Sequence, residues 1–104
     1  MDCFIGVDIG TTGTKSMLIS QSGKILGHAY QGYPITNPTP NRSEQRAEDW
    51  WDALVNTVRQ LIAGKDKLDR VRALSLSLQG GTLIPVDRDL RPLRSAIVWS
   101  DVRC

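Results

Sequence analysis

An acidic residue, a turn of glycines and threonines, and a lysine lie close together near the start of the chain: Asp8, Gly10, Thr11, Thr12, Gly13, Thr14 and Lys15. Glycine lets an anion approach the main chain. Successive backbone N–H groups in such a turn form an anion-binding concavity, and threonine hydroxyls add donors. Lys15 brings a mobile ammonium suited to a phosphate oxygen. Asp8 would repel a phosphate directly, so its place is sensible if Mg²⁺ stands between them, held directly or through water. Mg²⁺ is commonly held by one or two carboxylates together with substrate phosphates. The chemistry indicated is nucleotide phosphate handling with a metal, for which Mg²⁺ is the expected ion.

The flanking residues say what positions this turn. Cys3, Phe4, Ile5, Val7 and Ile9 form an apolar, partly β-branched run, and Ser16 to Ile19 begin another. Runs of this length bounded by glycine read as strands. The turn thus joins two strands, which separates it from a Walker-type loop, where a helix follows the lysine. A Gly/Thr hairpin alone is also an ordinary turn; the full run from Asp8 to Lys15 is what makes the site reading specific.

Size and composition set limits. A chain of 104 residues fits one domain with a modest core. Its formal charge of +2, with scattered basic residues, argues for neither a nucleic-acid partner nor a membrane surface. Cys3 and Cys104 lie at opposite ends and have no metal-ligand spacing. Cys3 reads as a small buried residue within a strand. Asp2, Gly6 and Asp8 break any signal-peptide pattern, and no apolar run reaches about 18 residues, so a cytoplasmic protein is expected. His28 is expected to be an exposed strand residue rather than a base, since no orienting partner is evident.

Further along, Ser20 to Lys24 reads as a hairpin turn and Ile25 to Tyr33 as a third strand. Pro34 to Arg46 is a polar connection of a length that often carries function. Ala47 to Ala63 reads as a helix, with Trp50, Trp51, Leu54, Val55, Val58, Leu61 and Ile62 on an apolar stripe. Packing is the expected role of both tryptophans. Glu48 and Asp49 complement the helix dipole, and Gly64 reads as its stop. Val71 to Leu78 alternates as a strand. Thr82 to Val86 and Ser95 to Trp99 are expected as further strands, with a turn over Asp87 to Arg91. A meander followed by a strand–helix–strand crossover indicates an α/β domain with a mixed sheet.

These motifs together resemble a known family. GVDIGTTGTK (Gly6 to Lys15) looks like the first phosphate motif of the actin-like ATPase superfamily, whose fold is ribonuclease-H-like. SEQRAEDWW (Ser43 to Trp51), LSLSLQGG (Leu74 to Gly81) and DRDLRPLRSAIVWSDVR (Asp87 to Arg103) are similar to the N-terminal domain of the FGGY carbohydrate kinases. The resemblance runs along essentially the whole chain, in order. It implies phosphoryl transfer from ATP to a hydroxyl of a sugar or polyol, with a pentulose such as xylulose as the favoured acceptor. By the same resemblance, Asp8 faces the metal–phosphate end of ATP, and Gly10, Thr11, Thr12, Gly13 and Lys15 lie at its phosphates. Gln79, Gly80, Trp99, Asp101 and Arg103 lie on the sugar side. For Trp99 core packing is the competing role, and for Arg103 a plain surface charge.

Two departures leave the sugar open. Gly81-Thr82 follows Gly80 where xylulokinases usually carry Met-His, and the Arg-Glu pair of glycerol kinases is missing. Arg46-Ala47 replaces the family's frequent Asp-Pro at the helix start, which weakens the cap, because arginine cannot accept free N–H groups. Family enzymes are several times longer and place their catalytic aspartate later. The resemblance therefore implies that residues 1–104 are the N-terminal portion of the first kinase domain, without a catalytic base and inactive alone. Oligomeric state is left open, including a homo-oligomer. Two rival readings are a non-catalytic actin- or chaperone-like nucleotide module, and an interaction domain whose exposed Trp50 or Trp51 docks a partner.

Overall fold

The computed structural model describes residues 2–63 and 70–103. Gly64, read as the helix stop, and Cys104 lie outside them. In chain order the elements are β1 (Cys3–Ile9), β2 (Gly13–Ser20), β3 (Ile25–Gly32), β4 (Glu44–Gln45), α1 (Ala47–Ile62), β5 (Val71–Leu78) and β6 (Ala96–Ile97). The first three strands form the antiparallel meander. β5 lies parallel beside β1, giving the order β3-β2-β1-β5 in a mixed sheet.

Side chains alternate across this sheet as the period of two requires. Cys3, Ile5 and Val7 are buried, while Phe4 and Asp8 are exposed on the opposite face. The buried face meets α1: Leu61 joins Cys3, Ile5, Val7, Leu18 and Ala29, with Leu54, Val58 and Ile62 packed against them. One polar pin crosses this interface. The Ser16 and Thr57 hydroxyls lie 2.7 Å apart, fully buried, and Thr57 also donates to the Ala53 carbonyl one turn earlier. The helix starts without a side-chain cap at Arg46, as the residue type foretold, and Glu48 and Asp49 occupy its first turn.

The structure corrects several expectations. Trp51 is 66% exposed rather than packed. It lies on the flank of the stripe, off the buried Ala53–Thr57–Leu61 line that faces the sheet. Trp50 is half-buried. Thr82 to Val86 is not a strand: Leu83 and Val86 make only isolated bridges, to Ile97 and Pro92. Ser95 to Trp99 shortens to β6, because its partner is the two-residue β4 inside the supposed polar connection. The turn over Asp87 to Arg91 forms as expected, with Asp87 Oδ1 accepting from the Asp89 and Arg91 amides. Cys3 is buried and His28 exposed, again as expected.

This arrangement puts three chain segments at one end of the sheet. The turn between β1 and β2, the end of β5 with Gln79, and the residues after β6 converge there. β4 sits among them, tied by β6 on one side and by its own side chains on the other.

Candidate functional site

Asp8 and Lys15 are register partners across β1 and β2. Both are exposed on the face turned away from α1. Among the described residues neither side chain has a hydrogen bond or ion pair. They border a groove of about 320 Å³ that Gly6, Met17, Ser75 and Ser77 also line. Among the described residues no three His, Cys, Asp or Glu side chains gather as a metal cluster. A magnesium ion at Asp8 would therefore take most of its oxygens from phosphate and water, the usual manner for this ion. The donor set fits the pair of ligands expected from the sequence.

Between these strands the turn closes on itself, with Gly10 N–H donating to Gly13 O at 3.0 Å. Glycine is required at position 13 for space: an added Cβ would lie 2.5 Å from Tyr30 Cζ and 2.8 Å from the Gln31 carbonyl oxygen. The Tyr30 hydroxyl passes over this spot to donate to Thr12 O at 3.3 Å. Tyr33, at the end of β3, donates its hydroxyl to Gly10 O, lies 3.3 Å from Thr14 Oγ1, and also donates its backbone N–H to Thr12 O. Burial raises the Tyr33 phenol above its ordinary pKa, so it is held as a neutral donor.

The residues expected on the sugar side divide into two groups. Gln79 and Trp99 reach the turn between β1 and β2. The Gln79 amide nitrogen lies 3.5 Å from Gly10 O and 3.1 Å from Gln45 Oε1, and its backbone N–H donates to Ile9 O. Trp99 is 58% exposed, so it is not core, and its indole N–H donates to Thr11 Oγ1 at 2.9 Å. A built Cβ at Gly80 would meet nothing within 4 Å. Asp101 and Arg103 instead turn to each other and to β4. The Asp101 side chain is 1% exposed and accepts from the Ser43 amide at 2.7 Å; Arg103 bonds both of its carboxylate oxygens and reaches Glu44 at 2.7 Å. Arg94 adds a second cation to Glu44 at 2.8 Å.

The charge balance here is set by Arg103. Its hydrogen bonds hold the Asp101 carboxyl well below the usual carboxylate range, and the Ser43 amide adds to this. The same guanidinium lowers Glu44, with Arg94 contributing. Arg103 in turn is held more firmly protonated by the two carboxylates. Charge-assisted bonds of this kind are shorter and stronger than neutral ones.

Gln45 and Tyr33 were both missed as parts of the site by sequence reasoning. Gln45 is 1% exposed, yet every polar atom of its side chain is used. Nε2 donates to Thr11 O at 2.6 Å, while Oε1 accepts from Trp50 Nε1 and Gln79 Nε2, each at 3.1 Å. It lay inside the SEQRAEDWW stretch, whose only sequence signal was its similarity to the family.

The mixed sheet, its covering helix and the strand–turn–strand site define an actin-like ATPase fold of the ribonuclease-H-like kind. Comparison with known proteins narrows this class. The sequence profile of the FGGY family of carbohydrate kinases, N-terminal domain, matches residues 3–104, and the chain belongs to that family. It is 35% identical over 103 residues to a xylulose kinase from Klebsiella pneumoniae, covering 97% of this chain and 21% of that protein. It is 32% identical over 99 residues to a gluconokinase from Bacillus subtilis, covering 95% and 19%. Ligand-bound xylulose kinase from Lactobacillus acidophilus superposes with a TM-score of 0.89 at 30% identity, covering 97% and 20%. The chain thus spans about a fifth of the length of the relatives it matches. Trp51 does meet the exposure that a docking helix needs, but the family accounts for the whole chain and docking accounts for one side chain.

Proposed function

We propose that residues 1–104 are the N-terminal portion of the first domain of an ATP-dependent carbohydrate kinase, supplying its first phosphate motif and part of its sugar pocket. The observation that carries this reading is the Trp99–Thr11 hydrogen bond of 2.9 Å, which joins the sugar-side segment to the phosphate turn. A kinase needs donor and acceptor sites in contact, because phosphoryl transfer depends mainly on positioning and charge stabilisation.

The geometry supports the following roles. Lys15, the N–H groups and hydroxyls of Thr11 and Thr12, and the main chain at Gly10 and Gly13 bind the ATP phosphates. Asp8 holds Mg²⁺, which when bound neutralises phosphate oxygens. Accepting from Trp99 leaves the Thr11 hydroxyl its own proton to donate. The exposed Trp99 ring offers a face to the C–H side of a sugar or polyol, and Gly80 leaves open space beside it. Gln79 reaches the acceptor side through its hold on the turn. Asp101 and Arg103 serve the pocket by fixing the segment that carries Trp99. A pentulose such as xylulose is the acceptor we favour, in view of the xylulose kinase relatives, and a protein using cellular ATP belongs in the cytoplasm.

The test is a coupled assay of ADP release by the full-length protein with a panel of pentuloses, gluconate and polyols. Sugar-dependent release is expected, and the 104-residue piece alone should show none. ATP binding with neither turnover nor a sugar-induced rise in stability would favour the non-catalytic nucleotide module.

A further inference from the structure

From Ile9 to Gly13 every backbone carbonyl of the phosphate turn already has a donor from this chain. Gln79 N–H serves Ile9 O, the Tyr33 hydroxyl serves Gly10 O, and Gln45 Nε2 serves Thr11 O. Tyr33 N–H and the Tyr30 hydroxyl serve Thr12 O, and Gly10 N–H serves Gly13 O. The amides behave oppositely. Among the described residues no acceptor serves the N–H groups of Thr11 and Thr12.

This asymmetry has a geometric consequence. The described residues contain no cis peptide, and in a planar trans peptide the C=O and the following N–H point in opposite directions. Tyr33 draws Gly10 O inward, so the Thr11 N–H faces outward. Gln45 draws Thr11 O toward buried β4, so the Thr12 N–H faces outward too. Without these donors each peptide plane could flip and present an oxygen to an incoming anion. Gln45 can serve only one way round: its oxygen is committed to two N–H donors, Trp50 and Gln79, which leaves its NH₂ for the Thr11 carbonyl.

We propose that Gln45 and Tyr33 are positioning residues that lock the turn with its carbonyls inward and the Thr11 and Thr12 amides presented to a nucleotide phosphate. Neither touches the phosphate. They act by fixing dipoles before the ligand arrives, which is where electrostatic stabilisation gains most. Gln45 also ties the same lock to Gln79 at the sugar-side strand end. The proposal rests on the nucleotide reading of the turn.

The experiment uses the full-length protein with Gln45→Glu, Gln45→Leu and Tyr33→Phe. Gln45→Glu keeps the shape but sets an oxygen against Thr11 O. Tyr33→Phe removes one hydroxyl and keeps the ring, so it guards against a variant that fails to fold. Binding of Mg²⁺ with a non-hydrolysable ATP analogue is titrated alongside kinetics and thermal melting. Each variant is expected to weaken analogue binding and raise KM for ATP by about fivefold or more, with Gln45→Glu largest, while KM for sugar changes less. Unchanged analogue binding in folded Tyr33→Phe and Gln45→Leu, with only a lower melting temperature, would overturn the proposal. A wild type that binds analogue without sugar-dependent turnover defeats the kinase reading and leaves the lock to be judged on the titration. A wild type that does not bind the analogue defeats both.

Discussion

Trp99 donates its indole N–H to the Thr11 hydroxyl at 2.9 Å, across 88 residues of sequence. The bond ties an exposed aromatic face to a residue of the turn between β1 and β2, and the two roles proposed for Trp99 can be separated. Trp99→Phe keeps a ring and loses the donor; Trp99→Ala loses both. On the proposed kinase reading, Trp99→Phe in the full-length protein is expected to raise KM for ATP roughly fivefold and change KM for sugar little. Trp99→Ala should raise KM for the sugar about tenfold as well, as stacking is lost. Equal effects of both variants on sugar KM would remove the stacking role.

Asp8 and Lys15 offer the opposite case, two charged neighbours with no structural employment. Exposed side chains without partners contribute little to folding, so Asp8→Asn and Lys15→Met should each stay within about 0.5 kcal/mol of the parent in urea unfolding. Turnover should fall about 100-fold or more, because the proposed roles place both on charge that develops during transfer. A variant that loses stability and activity together would assign these residues to the fold instead.

Much of this was legible in the sequence because it is periodic or local. The alternation of Cys3, Ile5 and Val7 with Phe4 and Asp8 survives directly as the two faces of β1, and the stripe from Leu54 to Ile62 survives as the packed face of α1. β4 and β6 left no such trace, since two residues have no period to read. The same holds for Gln45: its partners Thr11, Trp50 and Gln79 come from three segments, and only the folded chain brings them together. Asp101 and Arg103 carried chemistry in their types, but types do not say that an i, i+2 pair will bond to each other and that Arg103 will also reach Glu44. Val71 to Leu78 was read correctly as a strand, but its alternation did not show which face is covered: α1 packs chiefly on β2 and β3, and Leu78 is 63% exposed.

Gly13 lies beneath Tyr30, and its missing side chain is a packing requirement. Gly13→Ala forces the tyrosine aside and still meets the Gln31 carbonyl, a backbone atom that cannot give easily. Overpacking of this kind costs about 1–3 kcal/mol, readable as a lower urea midpoint. Tyr30→Ala combined with Gly13→Ala should cost less than the sum of the two single changes, because one cause of strain is removed. Strict additivity would show that the two residues do not share this space.

The Asp101–Arg103–Glu44 cluster should make stability sensitive to acid. Arg103 lowers both carboxyls in the folded chain, against ordinary values of about 3.9 for Asp and 4.3 for Glu. A carboxyl with a lowered folded pKa stabilises fully above its unfolded pKa, and that contribution fades as the pH falls toward the folded value. The cluster should therefore hold the segment from Trp99 to Arg103 against β4 at pH 7 and release it progressively below about pH 4. Asp101→Asn removes the charge and one acceptor for the Ser43 amide or Arg103. Its melting temperature should lie below that of the parent at neutral pH, and the gap should narrow on acidification from pH 6 toward about pH 3. Because this cluster anchors the segment bearing Trp99, the same variant should raise KM for the sugar more than KM for ATP. A gap in melting temperature that stays constant over that range would mean that Asp101 acts through shape alone.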